Sequence, residues 1–163
     1  MPSKPATEQE MYPLVCRWLK SFLSARHKRS RIRTFDTSVI SLYKWVEQNR
    51  FEKYFPQYLA YDIRVDVTGI VCGKKKAHLA FVECKLRPIT LRDISQLIGY
   101  CRVARPKFAW ILSPSGITSR VSYLLKTYRR YDVLEYGDQG RVQIATWNHD
   151  RAGIDASSIL PPG

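Results

Sequence analysis

The chain of 163 residues carries 27 Lys and Arg against 14 Asp and Glu, a formal net charge of +13, and is 45% hydrophobic with ten Tyr, six Phe and four Trp. That suits one domain with ample apolar material for a core, and the cation excess points to a polyanionic partner. No apolar run approaches the roughly 20 residues of a membrane helix, and the opening MPSKPATEQE lacks the apolar segment of a secretory signal, so a cytoplasmic protein is expected. Cys16, Cys72, Cys84 and Cys101 show no C-x-x-C spacing, which favours reduced core thiols over a zinc or iron-sulfur site.

From Thr7, the spacing of Met11, Leu14, Val15, Trp18, Leu19 and Phe22 predicts an amphipathic helix, with Thr7 and Glu10 resembling a capping box. Pro13 falls in its first two turns, where a missing N–H does little harm. Glu8 lies near the centre of the apolar face and Glu10 points away. SARHKRSRIR (24–33) then concentrates basic residues in what reads as a solvated loop. Val39, Leu42, Tyr43 and Val46 predict a second helix from Thr37 to about Tyr54.

DIRVDVTGIV (62–71) alternates, with Ile63, Val65, Val67 and Val71 on one face and Asp62, Arg64, Asp66 and Thr68 on the other. CGKKKAH supplies a turn and HLAFVECKL (78–86) the partner strand of an antiparallel hairpin. In that second strand Glu83 and Lys85 share a face, while Val82 and Cys84 share the other. An ion pair where a strand emerges into solvent is the ordinary account of such a pattern.

Helical spacing resumes at Leu91, Ile94, Leu97, Ile98 and Cys101, with Thr90 as N-cap and Asp93 in the first turn. KFAWILSP reads as a buried strand, SRVSYLLKTYRR as an amphipathic helix, and YDVLEY and RVQIATW as two further strands. From Asn148 to Gly163 no period is visible, which suggests a mobile tail, and no second domain is evident.

The order helix, strand, strand with Asp66, strand with Glu83 and Lys85, helix, strand resembles the PD-(D/E)XK nuclease superfamily. Asp66 matches its first acid and Glu83-Cys84-Lys85 its E-x-K. Gln96 and Tyr100, one helical turn apart in SQLIGY, match the Q-x-x-x-Y motif of the RecB-like and lambda-exonuclease-like branch. Glu8 resembles the acid that several branches carry on their first helix. No proline precedes Asp66, and Asp62 on the same face competes for the role of first acid.

The resemblance implies an α/β, restriction-endonuclease-like fold, with an αβββαβ core whose mixed central sheet is flanked by helices. It implies a Mg²⁺-dependent nuclease, with Mn²⁺ able to substitute, acting on DNA. The catalytic residues would be Asp66, Glu83, Lys85, Gln96, Tyr100 and Glu8, and the metal would take Asp66, Glu83 and the main-chain carbonyl of Cys84. Chemistry points the same way: an anionic phosphodiester needs its oxygens neutralised and a nucleophile supplied in line, which Mg²⁺ on one or two carboxylates can do. Lys85 would orient the attacking water or, preferably, stabilise charge on the phosphorus. Gln96 and Tyr100 would hold the water, a carboxylate or the nucleic-acid backbone.

Affinity for nucleic acid comes mostly from phosphate contacts, for which Arg26, Lys28, Arg29, Arg31 and Arg33, the turn Lys74, Lys75 and Lys76, and Arg129 with Arg130 are candidates. A non-catalytic nucleic-acid-binding protein that keeps the fold is the alternative function. Endo- or exonuclease action, and pairing into a homodimer to cut both strands, are left open.

Overall fold

In the computed structural model, residues 4–138 and 140–163 are described; residues 1–3 of the opening MPSKPATEQE and Gln139 lie outside them. The first helix, α1 (Glu8–Arg26), buries Met11, Tyr12, Val15, Leu19 and Leu23, which recur at the three- and four-residue spacing that makes one stripe. Thr7 caps it by accepting from the Glu10 N–H, while the Glu10 carboxylate accepts from Ala6 N–H rather than closing a capping box on Thr7.

Residues 24–33, expected as a loop, are instead shared between the end of α1, a short turn and an edge strand, β1 (Arg31–Asp36). Its Arg31 and Arg33 face solvent and Ile32 and Thr34 point inward, with the Thr34 hydroxyl donating to the Cys16 carbonyl of α1 at 3.0 Å. Charges on an edge strand discourage pairing with other chains, and they also hide its period. The second helix is shorter than expected: α2 covers only Leu42–Gln48, and Val39 sits outside it, 83% exposed.

The strand expected at 62–71 begins only at Val67. β2 (Val67–Cys72) pairs antiparallel with β1 and with β3 (Ala77–Cys84). Upstream, the carbonyls of Tyr61 and Ile63 accept from the N–H groups of Tyr43 and Leu42 at the start of α2, so a helix end takes the bonds a neighbouring strand would use. Asp66 therefore stands at a bend and not mid-strand. The bend reverses parity: Ile63 and Val65 join the apolar cluster on one face of the sheet, whereas Val67 and Val71 join the other. Buried Thr37 clamps it, donating its N–H to the Asp66 carbonyl and its hydroxyl to the Val65 carbonyl.

β3 leads through α3 (Leu91–Ala104) to β4 (Phe108–Ser113), which lies parallel to β3, and β5 (Val142–Asn148) lies parallel to β4. The sheet runs in the order β1 to β6, mixed in direction, with α1 on one face and α2 and α3 on the other. This is the αβββαβ core that the resemblance implied, with β1 supplying the strand that the residue pattern did not show. Between β4 and β5, α4 (Ser119–Ser122) continues as a π-helical turn, Tyr123–Thr127. YDVLEY is not a strand but a 3-10 turn, Tyr131–Leu134, beside the fork that Arg130 makes on Asp132; one bridge, Glu135 to Arg141, remains. Residues 148–163 fold back on the sheet and do not trail from it: β6 (Gly153–Ile154) pairs with β5, and Leu160 exchanges two backbone hydrogen bonds with Ile144. No helix among the described residues is long and apolar enough to cross a membrane.

Candidate active site

The antiparallel register that places Val67 opposite Val82 brings Asp66 beside Glu83 at one end of the sheet. The backbone N–H of Asp66 donates to Glu83 Oε1 at 3.2 Å, and the Cys84 N–H donates to Asp66 Oδ2 at 2.9 Å. The other Asp66 oxygen accepts from the Tyr12 hydroxyl of α1 at 3.2 Å. Asp66 thus sits between the layers, touched by α1 on one side and by β3 on the other. Asp62, four residues earlier, is exposed and takes no part.

Glu83 belongs to the face of β3 that α3 covers and is only 9% exposed. Burial first, then the charge of Asp66, pushes its carboxyl well above the usual carboxylate range, against the Asp66 N–H and Lys85, which lower it. Burial raises Asp66 as well, opposed by the Cys84 N–H and by Lys85. The nearness of the two acids raises Glu83 and lowers Asp66, so Glu83 is the one that takes up a proton more readily. Burial, and next the Asp66 charge, keeps the Tyr12 phenol protonated and thus a donor. Glu8, half-exposed at the first position of α1, adds its field to those acting on Tyr12, Cys84 and Arg87.

Lys85 follows β3 directly, its N–H fixed on the Leu112 carbonyl and its Nζ 3.9 Å from Asp93 Oδ1. Asp93 closes a capping box with Thr90 at the start of α3 and takes a two-pronged contact from Arg87, at 2.7 and 2.8 Å. Burial would raise its carboxyl, but Arg87 and Thr90 hold it down at about 2. A depressed folded value means stability that is present above the ordinary Asp pKa and lost as pH falls toward about 2. Asp93→Asn should therefore cost about 1 to 2 kcal/mol at pH 7, solvent screening on the Arg87 side limiting the figure, and the deficit should close in acid. Urea titrations of both proteins from pH 7 to pH 3 measure it; a constant gap would refute the ionic account.

Gln96 and Tyr100 stand further along α3 and bond each other, Gln96 Nε2 donating to the Tyr100 hydroxyl at 2.8 Å. Gln96 is exposed, and among the described residues neither side chain hydrogen-bonds to Asp66, Glu83 or Lys85. The basic candidates lie elsewhere. Arg31 pairs with Cys72, so the α1–β1 turn with Lys28 and Arg29 adjoins the hairpin turn Lys74–Lys76 at the opposite end of β2 from Asp66, roughly 20 Å away at the usual rise of a strand. Arg26 lies over the Phe22 ring at 3.7 Å, and Arg130 is taken up by Asp132.

Tyr12, Arg87 and Asp93 join the site without having been singled out for it. Tyr12 is one turn beyond Glu8, and the sequence pattern assigns Asp93 to the helix cap alone. A capping carboxylate has lone pairs to spare, which was the one available signal.

Among solved structures, MspJI restriction endonuclease in complex with a 27-mer oligonucleotide is similar to this chain, at TM-score 0.42 and 9% identity, over 84% of this chain and 26% of that one. The chain thus spans about a quarter of that protein's length. No family model and no curated protein matches the sequence. Residue roles therefore rest on this chain's own geometry.

Two buried carboxylates that repel each other, each with lone pairs unused, fit a hard divalent cation that takes oxygen ligands. Among the described residues no group of three or more His, Cys, Asp or Glu is placed to hold a metal. Mg²⁺ asks for only one or two carboxylates, completing its shell with waters and substrate oxygens, so the pair meets its demand.

Proposed function

We propose that this protein is a Mg²⁺-dependent nuclease that hydrolyses phosphodiester bonds of DNA. The observation that carries the proposal is the meeting of Asp66, at the bend that opens β2, with Glu83 on β3, Lys85 following directly. Asp66, Glu83 and the Cys84 carbonyl would hold the cation, which supplies Lewis acidity toward a phosphoryl oxygen and toward a water nucleophile. Tyr12 and the Cys84 N–H orient the Asp66 carboxylate. Lys85, steadied by Asp93, stabilises charge that builds on the phosphoryl oxygens. The exposed Gln96, bonded to half-buried Tyr100, suits a contact with the DNA backbone better than one with the carboxylates.

Purified protein incubated with linear duplex, circular single-stranded and branched DNA should cleave at least one of them with Mg²⁺ or Mn²⁺ and none with EDTA. Binding without cleavage under every metal condition would replace the nuclease by a binding protein.

DNA that reaches from the carboxylates to the Lys28–Arg31 and Lys74–Lys76 cluster would span roughly six base pairs at the ordinary 3.4 Å step. Neutralising three phosphate-binding cations of that cluster should flatten the slope of log affinity against log salt by about 2 to 3. Equilibrium binding of Lys28→Gln/Arg29→Gln/Arg31→Gln at several salt concentrations tests it, and an unchanged slope would return the cluster to a merely solvated surface.

A further inference from the structure

An open groove lies between the first turn of α3 and the helix at 119–127, and of its lining only Thr90, through its cap on Asp93, touches the residues described above. Leu91 and Leu124 supply apolar surface, Arg92 and Arg120 supply charge, and Tyr123 and Tyr128 supply two aromatic rings. No Asp or Glu lines it. Tyr123 is 58% exposed, Tyr128 70% and Leu91 52%, an unusual concentration of large apolar groups left in water.

The pairing of the two tyrosines is a product of the π-helical turn. The Tyr128 N–H donates to the Tyr123 carbonyl at 2.9 Å, a bond spanning five residues, so Tyr128 stands about one turn beyond Tyr123. In a regular α-helix, residues five apart are rotated by about 140° and would not line one groove. π-Helical turns are rare and occur often at functional sites.

Flat apolar surface, two aromatic faces, two guanidinium groups and no acid describe a ligand that is aromatic and anionic at once. Bases that have left the stack, joined by phosphates, have that chemistry, and a duplex, whose bases are stacked and paired, does not offer it. We propose that this groove binds single-stranded DNA, its bases stacking on Tyr123 and Tyr128 and its phosphates meeting Arg92 and Arg120. The proposal rests on the nucleic-acid reading of the adjoining site and assigns that site a substrate form. Thr90, which lines the groove, caps the same helical turn from which Asp93 contacts Lys85, so one end of the groove lies within a turn of the residue that steadies Lys85.

The test uses the whole chain in EDTA, so binding is read without cleavage. Probes are a single-stranded 12-mer oligodeoxynucleotide carrying 2-aminopurine and a duplex of equal length. The wild type should bind the single strand with a change in 2-aminopurine fluorescence. Tyr123→Ala/Tyr128→Ala should weaken that binding by about tenfold or more, while duplex affinity stays within about twofold. Tyr123→Phe/Tyr128→Phe, which keeps both rings, should retain the affinity and the fluorescence change. The proposal is overturned if the wild type does not bind the single strand, if the folded Ala variant binds it as before, if single strand and duplex weaken equally, or if the Phe variant fails like the Ala variant. Loss of cleavage with Mg²⁺ alongside retained stacking in EDTA would overturn the nuclease reading alone.

Discussion

Asp66→Asn, Glu83→Gln and Lys85→Ala should each lower DNA cleavage by about a thousandfold or more, because groups that act as one unit lose nearly the whole effect when any one is removed. Amide variants suit the acids. Asp66 accepts from Tyr12 and from the Cys84 N–H, so Ala there would leave two buried donors unpaired and confuse lost chemistry with lost stability. Glu83 is more enclosed still, and only Lys85, at 17% side-chain exposure, can be truncated with modest structural cost. DNA binding should survive Lys85→Ala in large part. Circular dichroism establishes folding, and cleavage of the preferred substrate gives the rate. Well-folded Glu83→Gln and Lys85→Ala proteins that cleave at the wild-type rate would remove the site assignment altogether.

Divalent cation should stabilise the fold by about 2.7 kcal/mol at a hundred times its dissociation constant, which for a chain of this length is roughly 5 to 10 °C in melting temperature. The effect should appear with Mg²⁺ or Mn²⁺, vanish in Asp66→Asn and Glu83→Gln, and persist in Asp62→Asn, since Asp62 lies exposed outside the site. Without metal the sign is different. Glu83 has a raised folded pKa, so its favourable contribution is complete below the ordinary Glu range and is lost as pH rises through the raised value. Metal-free Glu83→Gln should therefore gain on metal-free wild type as pH climbs from 5 to 8. Thermal melts across that range with EDTA and with Mg²⁺ read both effects. Metal stabilisation that survives in both acid variants, or disappears in Asp62→Asn, would place the ion elsewhere.

The sequence carried the elements whose pattern is local. α1 and α3 announce themselves because an apolar stripe at helical spacing and a capping Thr are properties of a dozen consecutive residues. The β2–β3 hairpin is visible because a polar Gly-Lys turn separates two apolar runs, and the facing of Glu83 against Val82 and Cys84 follows from the two-residue period of any strand. β1 was not legible, since Arg31 and Arg33 give an edge strand the composition of a loop. YDVLEY misled for the converse reason: its residues favour a strand, but among the described residues it makes only the one bridge, Glu135 to Arg141.

Long-range contacts decided the rest. That Asp66 and not Asp62 meets Glu83 depends on hairpin register and on the bend clamped by Thr37, a residue 29 positions upstream of Asp66 in sequence. Tyr12 reaches Asp66 across 54 positions, and nothing in the twelve residues around either one encodes that approach. The basic segments could be counted in the sequence, but their position at the far end of the sheet follows from strand pairing. Residue types and local periods are written in the chain one turn or one strand at a time, and they determined the elements and the candidate chemistry. Packing the layers against one another decided which of those candidates share a site, because register and burial are properties of pairs of segments and of no single one.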